Sequence, residues 1–173
     1  MSAMVLLDTS FLISLVSGHR IHHATATQYY RHLLKNNMPM FFSAIVAAEF
    51  GIKQPVTDLP LNNFRVLDFN IPHGQKAANL WTALGQRDAG DSRAVVRDDV
   101  KLLAQASHEG IDFILTEDAS TLHKYCERLR SSGHLQTRAI TLENGFDASV
   151  LRDDGQADWV DDPAGDPGAQ GKR

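Results

Sequence analysis

The chain has 173 residues, of which 43% are hydrophobic and 22% are charged. This length fits one domain, and this composition excludes collagenous, coiled-coil and wholly disordered proteins. The single cysteine, Cys126, excludes an intramolecular disulfide framework and a cysteine-based zinc cage. The formal net charge of −4 neither supports nor excludes a nucleic-acid partner, because much of the negative charge lies in the Asp-rich residues 151–173.

The sequence shows no membrane-spanning or secretory segment. A span needs roughly 20 consecutive apolar residues, and the longest apolar run, 11–16, is far shorter. The first residues lack the basic region of a signal peptide and reach a charge at Asp8. Together with the lone cysteine, these features predict a cytoplasmic protein with no membrane partner.

Short apolar runs alternate with longer amphipathic segments along the first 142 residues, as is typical of an α/β fold with a parallel sheet and helices on both faces. The predicted strands are 5–7, 40–42, 64–69, 112–116 and 137–142. The predicted helices are 11–16, 22–35, 44–52, 73–84, 100–108 and 119–130. Ser43 is placed to cap the third helix, and 85–97, rich in Gly, Asp, Ser and Arg, is predicted to be an exposed loop.

The apolar pattern fades after residue 142. Asp, Gly and Pro dominate the following segment, and they cannot bury enough apolar surface to hold a fold. We therefore expect residues 1–142 to form one domain and residues 143–173 to form an acidic, mobile C-terminal tail.

Acidic side chains follow two of the predicted strands at the point where each strand ends. Asp8 comes directly after Val-Leu-Leu, and Asp118 follows Phe-Ile-Leu-Thr-Glu. Ligands of open parallel sheets bind beyond the carboxyl ends of the strands. Both carboxylates are therefore expected in one crevice.

Two further acids occupy unusual positions on apolar helices. Glu49 is the only charge in a helix of Ala, Ile, Val and Phe, so it must face water or have a partner, since an unpaired buried carboxylate is costly. Asp99 shares a helical face with Leu102 and Leu103, whereas Asp98 does not share it as fully. We therefore expect Asp98 to cap the helix and Asp99 to join the site, although the adjacent pair leaves one residue of ambiguity.

Four carboxylates in one crevice would repel one another and could not all stay ionised alone. A hard divalent cation removes this conflict, and oxygen ligands favour Mg²⁺ or Mn²⁺. Such an ion can activate water for attack on a phosphodiester. The structural alternative is that these acids are helix caps and solvated strand ends.

Four motifs match a known family in order and spacing over roughly residues 4–142. They are Leu6-Leu7-Asp8-Thr9-Ser10, Ser43-Ala-Ile-Val-Ala-Ala-Glu49-Phe50, Asp99-Val-Lys-Leu-Leu-Ala-Gln-Ala106 and Leu115-Thr116-Glu117-Asp118. In this combination the chain resembles the PIN domain family, particularly the VapC-type toxins of toxin-antitoxin systems.

The resemblance implies a three-layer α/β/α domain with a central parallel sheet and a metal-dependent endoribonuclease site. It also implies an RNA substrate, a cognate antitoxin and a homodimer. Carried over residue by residue, the site and metal-binding acids are Asp8, Glu49, Asp99 and Asp118, with Thr116 supplied by the Thr-x-Asp motif.

Two other functions compete with this hypothesis. The first is a non-catalytic PIN-like module that binds RNA or a protein partner. The second is a phosphotransfer enzyme of the haloacid-dehalogenase kind, in which a second Asp stands two positions after the first. Ser10 occupies that position here, which disfavours the second alternative.

Several polar residues near these motifs have both a functional and a structural interpretation. Arg87, Arg93 and Arg97 could clamp RNA phosphate, but a solvated loop is favoured. The histidines near the second helix lack His-Glu-x-x-His spacing and are interpreted as exposed structural residues. Glu117 is expected to be solvated, since neighbouring side chains on a strand point in opposite directions.

Overall fold

The computed structural model describes residues 2–152; residues 1 and 153–173 lie outside the described part. Its centre is a five-stranded sheet in which all neighbouring strands run parallel. The strands are β1 (Val5–Leu7), β2 (Met40–Ser43), β3 (Phe64–Leu67), β4 (Phe113–Thr116) and β5 (Arg138–Thr141). All five strand predictions are therefore confirmed, with ends that differ by one or two residues.

The strand order β3-β2-β1-β4-β5 places a switch point between β1 and β4. From β1 the chain adds β2 and β3 on one side, and it then crosses to β4 on the other side of β1. Ligands of open parallel sheets bind outside the carboxyl ends of the strands at such a point. The topology therefore predicts a ligand site beside the residues that follow Leu7 and Thr116.

Six α-helices within residues 2–152 cover the two faces of the sheet. They are α1 (Thr9–Val16), α2 (His23–Lys35), α3 (Ala44–Lys53), α4 (Ile71–Leu84), α5 (Arg93–His108) and α6 (Lys124–Ser131). α1 packs on α2 and α3, whereas α4 packs on α5 and α6, as right-handed crossovers require. This is the expected three-layer α/β/α arrangement. None of the helices in the described part is long and apolar enough to cross a membrane.

The two central strands are buried over their whole length. Every residue of β1 and β4 is buried, because helices cover both faces of a parallel sheet. The aromatic side chains of Phe11, Tyr29 and Phe50 pack from the helices into the same core. The unbroken apolar runs in the sequence thus reflect strands with no solvated face.

Ser43 caps α3, as predicted, and also links the sheet to α5. Its hydroxyl accepts a hydrogen bond from the backbone N–H of Ile45 at 3.1 Å and donates one to the side-chain oxygen of Gln105. The Gln105 amide nitrogen in turn donates to the carbonyl oxygen of Asp68 at 3.0 Å. Both Ser43 and Gln105 are completely buried. This bridge fixes α5 against the carboxyl ends of β2 and β3.

The predicted loop over 85–97 is wrong in its second half. α5 begins at Arg93, after Ser92 in the N-cap position, so Asp98 lies inside the helix and the prediction that it caps the helix is also wrong. The reason is packing, since Val96 and Val100 are 0% and 1% exposed, and their burial extends the helix about two turns toward its N-terminus.

A network of charges ties the remaining part of this connection to α6. Tyr125 donates its hydroxyl proton to Asp91 and accepts a hydrogen bond from the backbone N–H of Asp88 at 2.9 Å. Lys124 contacts the carboxylates of both aspartates, and Arg128 contacts Asp88. The network therefore holds the segment that leads into α5.

The C-terminal segment is described only in its first part. Residues 148–151 form a 3-10 helix, and the side chain of Leu151 is buried against the core. The domain boundary at residue 142 and the mobile tail stay predictions. Residues 153–173, which carry most of that predicted tail, lie outside the described residues.

We predict that Ser43→Ala lowers the free energy of unfolding by about 1–3 kcal/mol, since it removes a helix cap and leaves the buried Gln105 oxygen without this donor. The matched control is Ser92→Ala, because Ser92 also precedes a helix but makes no side-chain capping bond. It should change stability by less than about 0.5 kcal/mol. Denaturant titration measures the free energy of unfolding of both variants. Equal losses would contradict a stabilising role for the contact between Ser43 and Gln105.

Candidate active site

Asp8 lies at the switch point and is held there by two hydroxyl groups. Its Oδ2 atom accepts hydrogen bonds from Ser10 Oγ and Thr116 Oγ1, both at 2.7 Å. The same hydroxyls accept backbone N–H groups from the end of β4, Ser10 from Glu117 at 2.8 Å and Thr116 from Asp118 at 2.9 Å. The two hydroxyl oxygens lie 3.0 Å apart, so Ser10, Thr116 and Asp8 form one hydrogen-bonded cluster. The contact joins the carboxyl ends of β1 and β4.

Burial raises the pKa of Asp8, and the hydrogen bonds from Ser10 and Thr116 oppose that rise. The charge of Asp118 raises the pKa further. Asp8 is only 8% exposed. The crevice therefore holds a carboxylate at a position where negative charge is already unfavourable.

Glu49 projects from α3 toward the same crevice. Its Oε2 atom accepts a hydrogen bond from Thr9 Oγ1 at 2.6 Å, and Thr9 directly follows Asp8 in the chain. Burial raises the pKa of Glu49, the Thr9 hydroxyl lowers it, and the charges of Asp8 and Asp98 raise it again. Glu49 is thus oriented by the first turn of α1.

Asp99 projects from α5, and the pKa of its carboxyl group is strongly raised. Burial raises its pKa to about 7, although the Thr121 hydroxyl opposes the rise. This value of about 7 includes a further rise caused by the negative charges of Asp8, Asp118 and Glu49. Its Oδ2 atom is buried and has no hydrogen-bond partner among the described residues. Asp99 is therefore a carboxylate that lacks a counter-charge.

The neighbouring Asp98 occupies a different environment. Its carboxylate pairs with Lys101 on the next turn of α5, at 2.9 Å, and both side chains are more than a third exposed. Of the adjacent pair, Asp99 is the residue that the structure brings together with the other acids. Asp98 acts on the site through its charge on Glu49.

Asp118 begins the helical segment that follows β4. Its Oδ1 atom accepts the backbone N–H groups of Ser120 and Thr121, each at 2.9 Å, and its Oδ2 atom accepts the Thr121 hydroxyl at 2.6 Å. Burial alone raises the pKa of Asp118, but these hydrogen bonds outweigh it and the pKa is lowered. Asp118 therefore has the structural role of a cap and stays ionised.

The donor set at the switch point fits a hard divalent ion. It consists of carboxylate and hydroxyl oxygens, and it includes the unpaired buried Oδ2 of Asp99. Among the described residues, no three of the four carboxylates have ligand atoms within 4.8 Å of one another. Mg²⁺ usually keeps several waters and binds only one or two carboxylates directly, so this spacing suits an ion held partly through water.

A tighter cluster of metal-ligating side chains lies elsewhere, where the start of α4 meets the end of α5. His73, His108 and Glu109 have ligand atoms within 4.8 Å of one another. His73 Nδ1 accepts the backbone N–H of Asn70 at 3.1 Å, so its Nε2 carries the proton and donates it to Glu109 at 2.6 Å. Neither ring nitrogen of His73 then offers a lone pair to a metal. The group links two helices.

The structure also places the other polar residues singled out in the sequence. Arg93 and Arg97 lie on α5 and line a groove of about 410 Å³ between α4 and α5, with the Arg93 guanidinium 6.0 Å from the Trp81 ring. Arg97 precedes Asp99 by two residues, about 200° around the helix. The arginines therefore face away from the acids.

The expectation that Glu117 is solvated is wrong. Its carboxylate accepts hydrogen bonds from the Ser14 hydroxyl and from Arg20, whose Nη2 lies at 3.0 Å, and its side chain is 16% exposed. Arg20 is separated from Glu117 by 97 positions. No local signal in the sequence could have revealed this pair.

The model of the PIN domain family matches residues 5–127 of the chain. No curated protein matches the chain.

Several solved structures share the fold at low sequence identity. VapBC2 from Rickettsia felis, bound to a DNA fragment from its promoter, aligns with a TM-score of 0.55 at 17% identity and covers 79% of this chain and 98% of that chain. FitAcB from Neisseria gonorrhoeae aligns with a TM-score of 0.54 at 16% identity and covers 80% and 98%. DNA-bound VapBC from Salmonella typhimurium aligns with a TM-score of 0.50 at 16% identity and covers 81% and 98%.

We predict that the contribution of Asp99 to the stability of the metal-free chain falls as pH rises from about 4 to about 7, because folding raises its pKa from 3.8 to about 7. The protonated folded state is favoured at low pH, and the contribution is lost as the carboxyl ionises. Asp99→Asn should remove this slope, so the variant gains stability over the wild type toward pH 8, by at most roughly 4 kcal/mol.

The unfolding free energy is measured in EDTA across this pH range. Asp58→Asn is the matched control, since Asp58 is exposed in the 3-10 segment Val56–Asp58, outside the four motifs, and it should leave the slope unchanged. If the free energy of unfolding depends on pH in the same way for the wild type and for Asp99→Asn, then folding does not raise the pKa of Asp99.

Proposed function

This chain belongs to the PIN domain family, and on that premise we propose that it is an endoribonuclease that uses Mg²⁺ or Mn²⁺ to hydrolyse RNA phosphodiester bonds. We further propose that it is the toxin of a type II toxin-antitoxin pair. The observation that carries the proposal is Asp99, a buried carboxylate with an unpaired oxygen beside the charges of Asp8, Asp118 and Glu49.

The metal ligands in this proposal are Asp8, Glu49, Asp99 and Asp118, each binding directly or through water. When bound, the ion supplies an activated water and stabilises the charge that develops on the phosphate. Burial and, after it, the neighbouring negative charges raise the pKa of Asp99, and a positive charge at this point would relieve the second effect. Without a cation, the ionised carboxylates repel one another. A bound cation would allow them to be ionised together.

The surrounding hydroxyl groups orient the acids. Thr116 and Ser10 hold Oδ2 of Asp8. Thr9 fixes Oε2 of Glu49 in the same way. A catalytic constellation must be held within about 0.5 Å of its working geometry, and these short hydrogen bonds supply that restraint. Thr116 is therefore a positioning residue for Asp8.

Partners follow from the same proposal. The solved neighbours named VapBC and VapBC2 are complexes bound to DNA, and they support a cognate antitoxin as the protein partner of this chain. A homodimer and a cytoplasmic location belong to the proposal through the toxin assignment.

One observation favours the alternative of a non-catalytic PIN-like module. Both oxygens of Asp118 are already engaged by Ser120 and Thr121, which is the structural role of a helix cap. In that alternative, the chain binds RNA or a protein partner and the acids contribute no chemistry. The two functions differ in one measurable property, cleavage that depends on added Mn²⁺ or Mg²⁺.

We predict that Asp8→Asn and Asp118→Asn each reduce metal-dependent RNA cleavage by at least about 100-fold, because each removes a ligand charge. Asn retains capping ability, so the fold of Asp118→Asn should be intact by circular dichroism and thermal melting. Cleavage is followed on a panel of structured RNAs with Mn²⁺, Mg²⁺ or EDTA.

The matched control is Asp147→Asn. Asp147 caps a helical segment in the same manner, with its Oδ1 accepting the backbone N–H of Ser149 at 2.8 Å, but it lies outside the four motifs. Its variant should cleave at the wild-type rate. Undiminished cleavage by Asp8→Asn or Asp118→Asn would reject the assignment of these acids, and wild-type RNA binding without cleavage would favour the alternative.

A further inference from the structure

We propose that Arg20 forms a binding site for an RNA phosphate at the rim of the acidic crevice, and that Glu117 occupies Arg20 until RNA displaces it. This inference rests on the proposed function, since it concerns the substrate of the same site.

The position of Glu117 connects Arg20 to the crevice. Glu117 lies between Thr116 and Asp118 at the carboxyl end of β4. Its backbone N–H donates to Ser10 Oγ, the hydroxyl that also holds Asp8. Its carboxylate accepts a hydrogen bond from Arg20 Nη2 at 3.0 Å. A chain of hydrogen bonds through Glu117 and Ser10 therefore connects Arg20 to Asp8.

The backbone around Arg20 is fixed, whereas its side chain is open to solvent. The N–H of Arg20 donates to the carbonyl oxygen of Ser17 at 3.0 Å, and its carbonyl oxygen accepts the N–H of His23 at 3.1 Å. The His23 ring contacts the carbonyl oxygen of Ser14 at 2.9 Å. The Arg20 side chain is 47% exposed. A guanidinium has five N–H donors, so engagement of Nη2 by Glu117 leaves donors for a second acceptor.

The charges of the crevice give this arginine a function. Asp8, Glu49, Asp99 and Asp118 concentrate negative charge where a polyanion must approach. Arginine binds phosphate oxygens with planar, bidentate geometry, so a cation at the rim would hold the strand beside carboxylates that repel it.

Glu117 remains a competitor for Arg20. Its carboxylate accepts hydrogen bonds from both the Ser14 hydroxyl and Arg20 Nη2. RNA must exchange a phosphate for Glu117 to engage Arg20 fully.

This competition predicts effects of opposite sign for the two partners. Arg20→Ala removes a phosphate contact and should weaken RNA binding. Glu117→Gln removes the competing charge and should strengthen binding. If the pair only stabilised the fold, both substitutions would act in the same direction.

The experiment measures the affinity of the full chain for a labelled single-stranded RNA of mixed sequence. Asp8→Asn is present in every variant so that the RNA stays intact. We expect Arg20→Ala to raise Kd about 3- to 10-fold and to reduce the slope of log K against log [KCl] by about 0.7. Glu117→Gln should lower Kd by roughly 2-fold or more.

The matched controls come from a second surface ion pair, Arg130 with Glu127, at 3.1 Å near the end of α6. The chain leaves the crevice at Asp118 and crosses back along α6, so this pair lies away from the acids. Arg130→Ala and Glu127→Gln should leave Kd and the salt slope unchanged. Thermal melting of each variant verifies the fold.

The outcomes separate this inference from the proposed function. If the chain without Asp8→Asn cleaves RNA but Arg20→Ala and Arg130→Ala have equal effects on Kd, or Glu117→Gln weakens binding, the inference is overturned while the nuclease stands. If RNA binds with the expected opposite signs but no metal supports cleavage, the phosphate site is supported and the nuclease fails.

Discussion

The structure depends on one constraint, the fixing of a buried carboxylate at the point where the winding of the sheet reverses. Asp8 is held there because its Oδ2 atom accepts hydrogen bonds from the hydroxyls of Ser10 and Thr116, and each hydroxyl also accepts a backbone N–H from the end of β4. The same bonds join β1 to β4. Elements separated by more than a hundred positions in the chain are thereby aligned at the crevice.

The other acids reach this point from both helical layers. Glu49 arrives from α3 and Asp99 from α5, and α5 is fixed by the buried bridge from Ser43 to Gln105. Folding thus stabilises an arrangement that raises the pKa of Asp99 to about 7. Functional sites often retain such locally unfavourable charge because stability comes from elsewhere. In this chain, the buried apolar core around β1 and β4 supplies that stability.

Local patterns were sufficient to predict the strands and most helices, since apolar runs report burial on both faces of a parallel sheet. They also placed Asp8 and Asp118 at strand ends. The start of α5 was missed because Gly and Ser suggested a loop, whereas packing of Val96 extends the helix. The pair of Arg20 with Glu117 could not be predicted, because such long-range contacts depend on side-chain placement and leave no periodic signal.

The central claim is that the folded chain gathers its acids to hold a divalent cation. A crystal grown with Mn²⁺ and measured at the manganese absorption edge tests it directly. Anomalous density in the crevice, with Oδ2 of Asp99 and the carboxylate of Asp8 among the groups facing the ion, is the result that the account predicts. Density only beside His73, or an empty crevice with its acids unchanged, would contradict it.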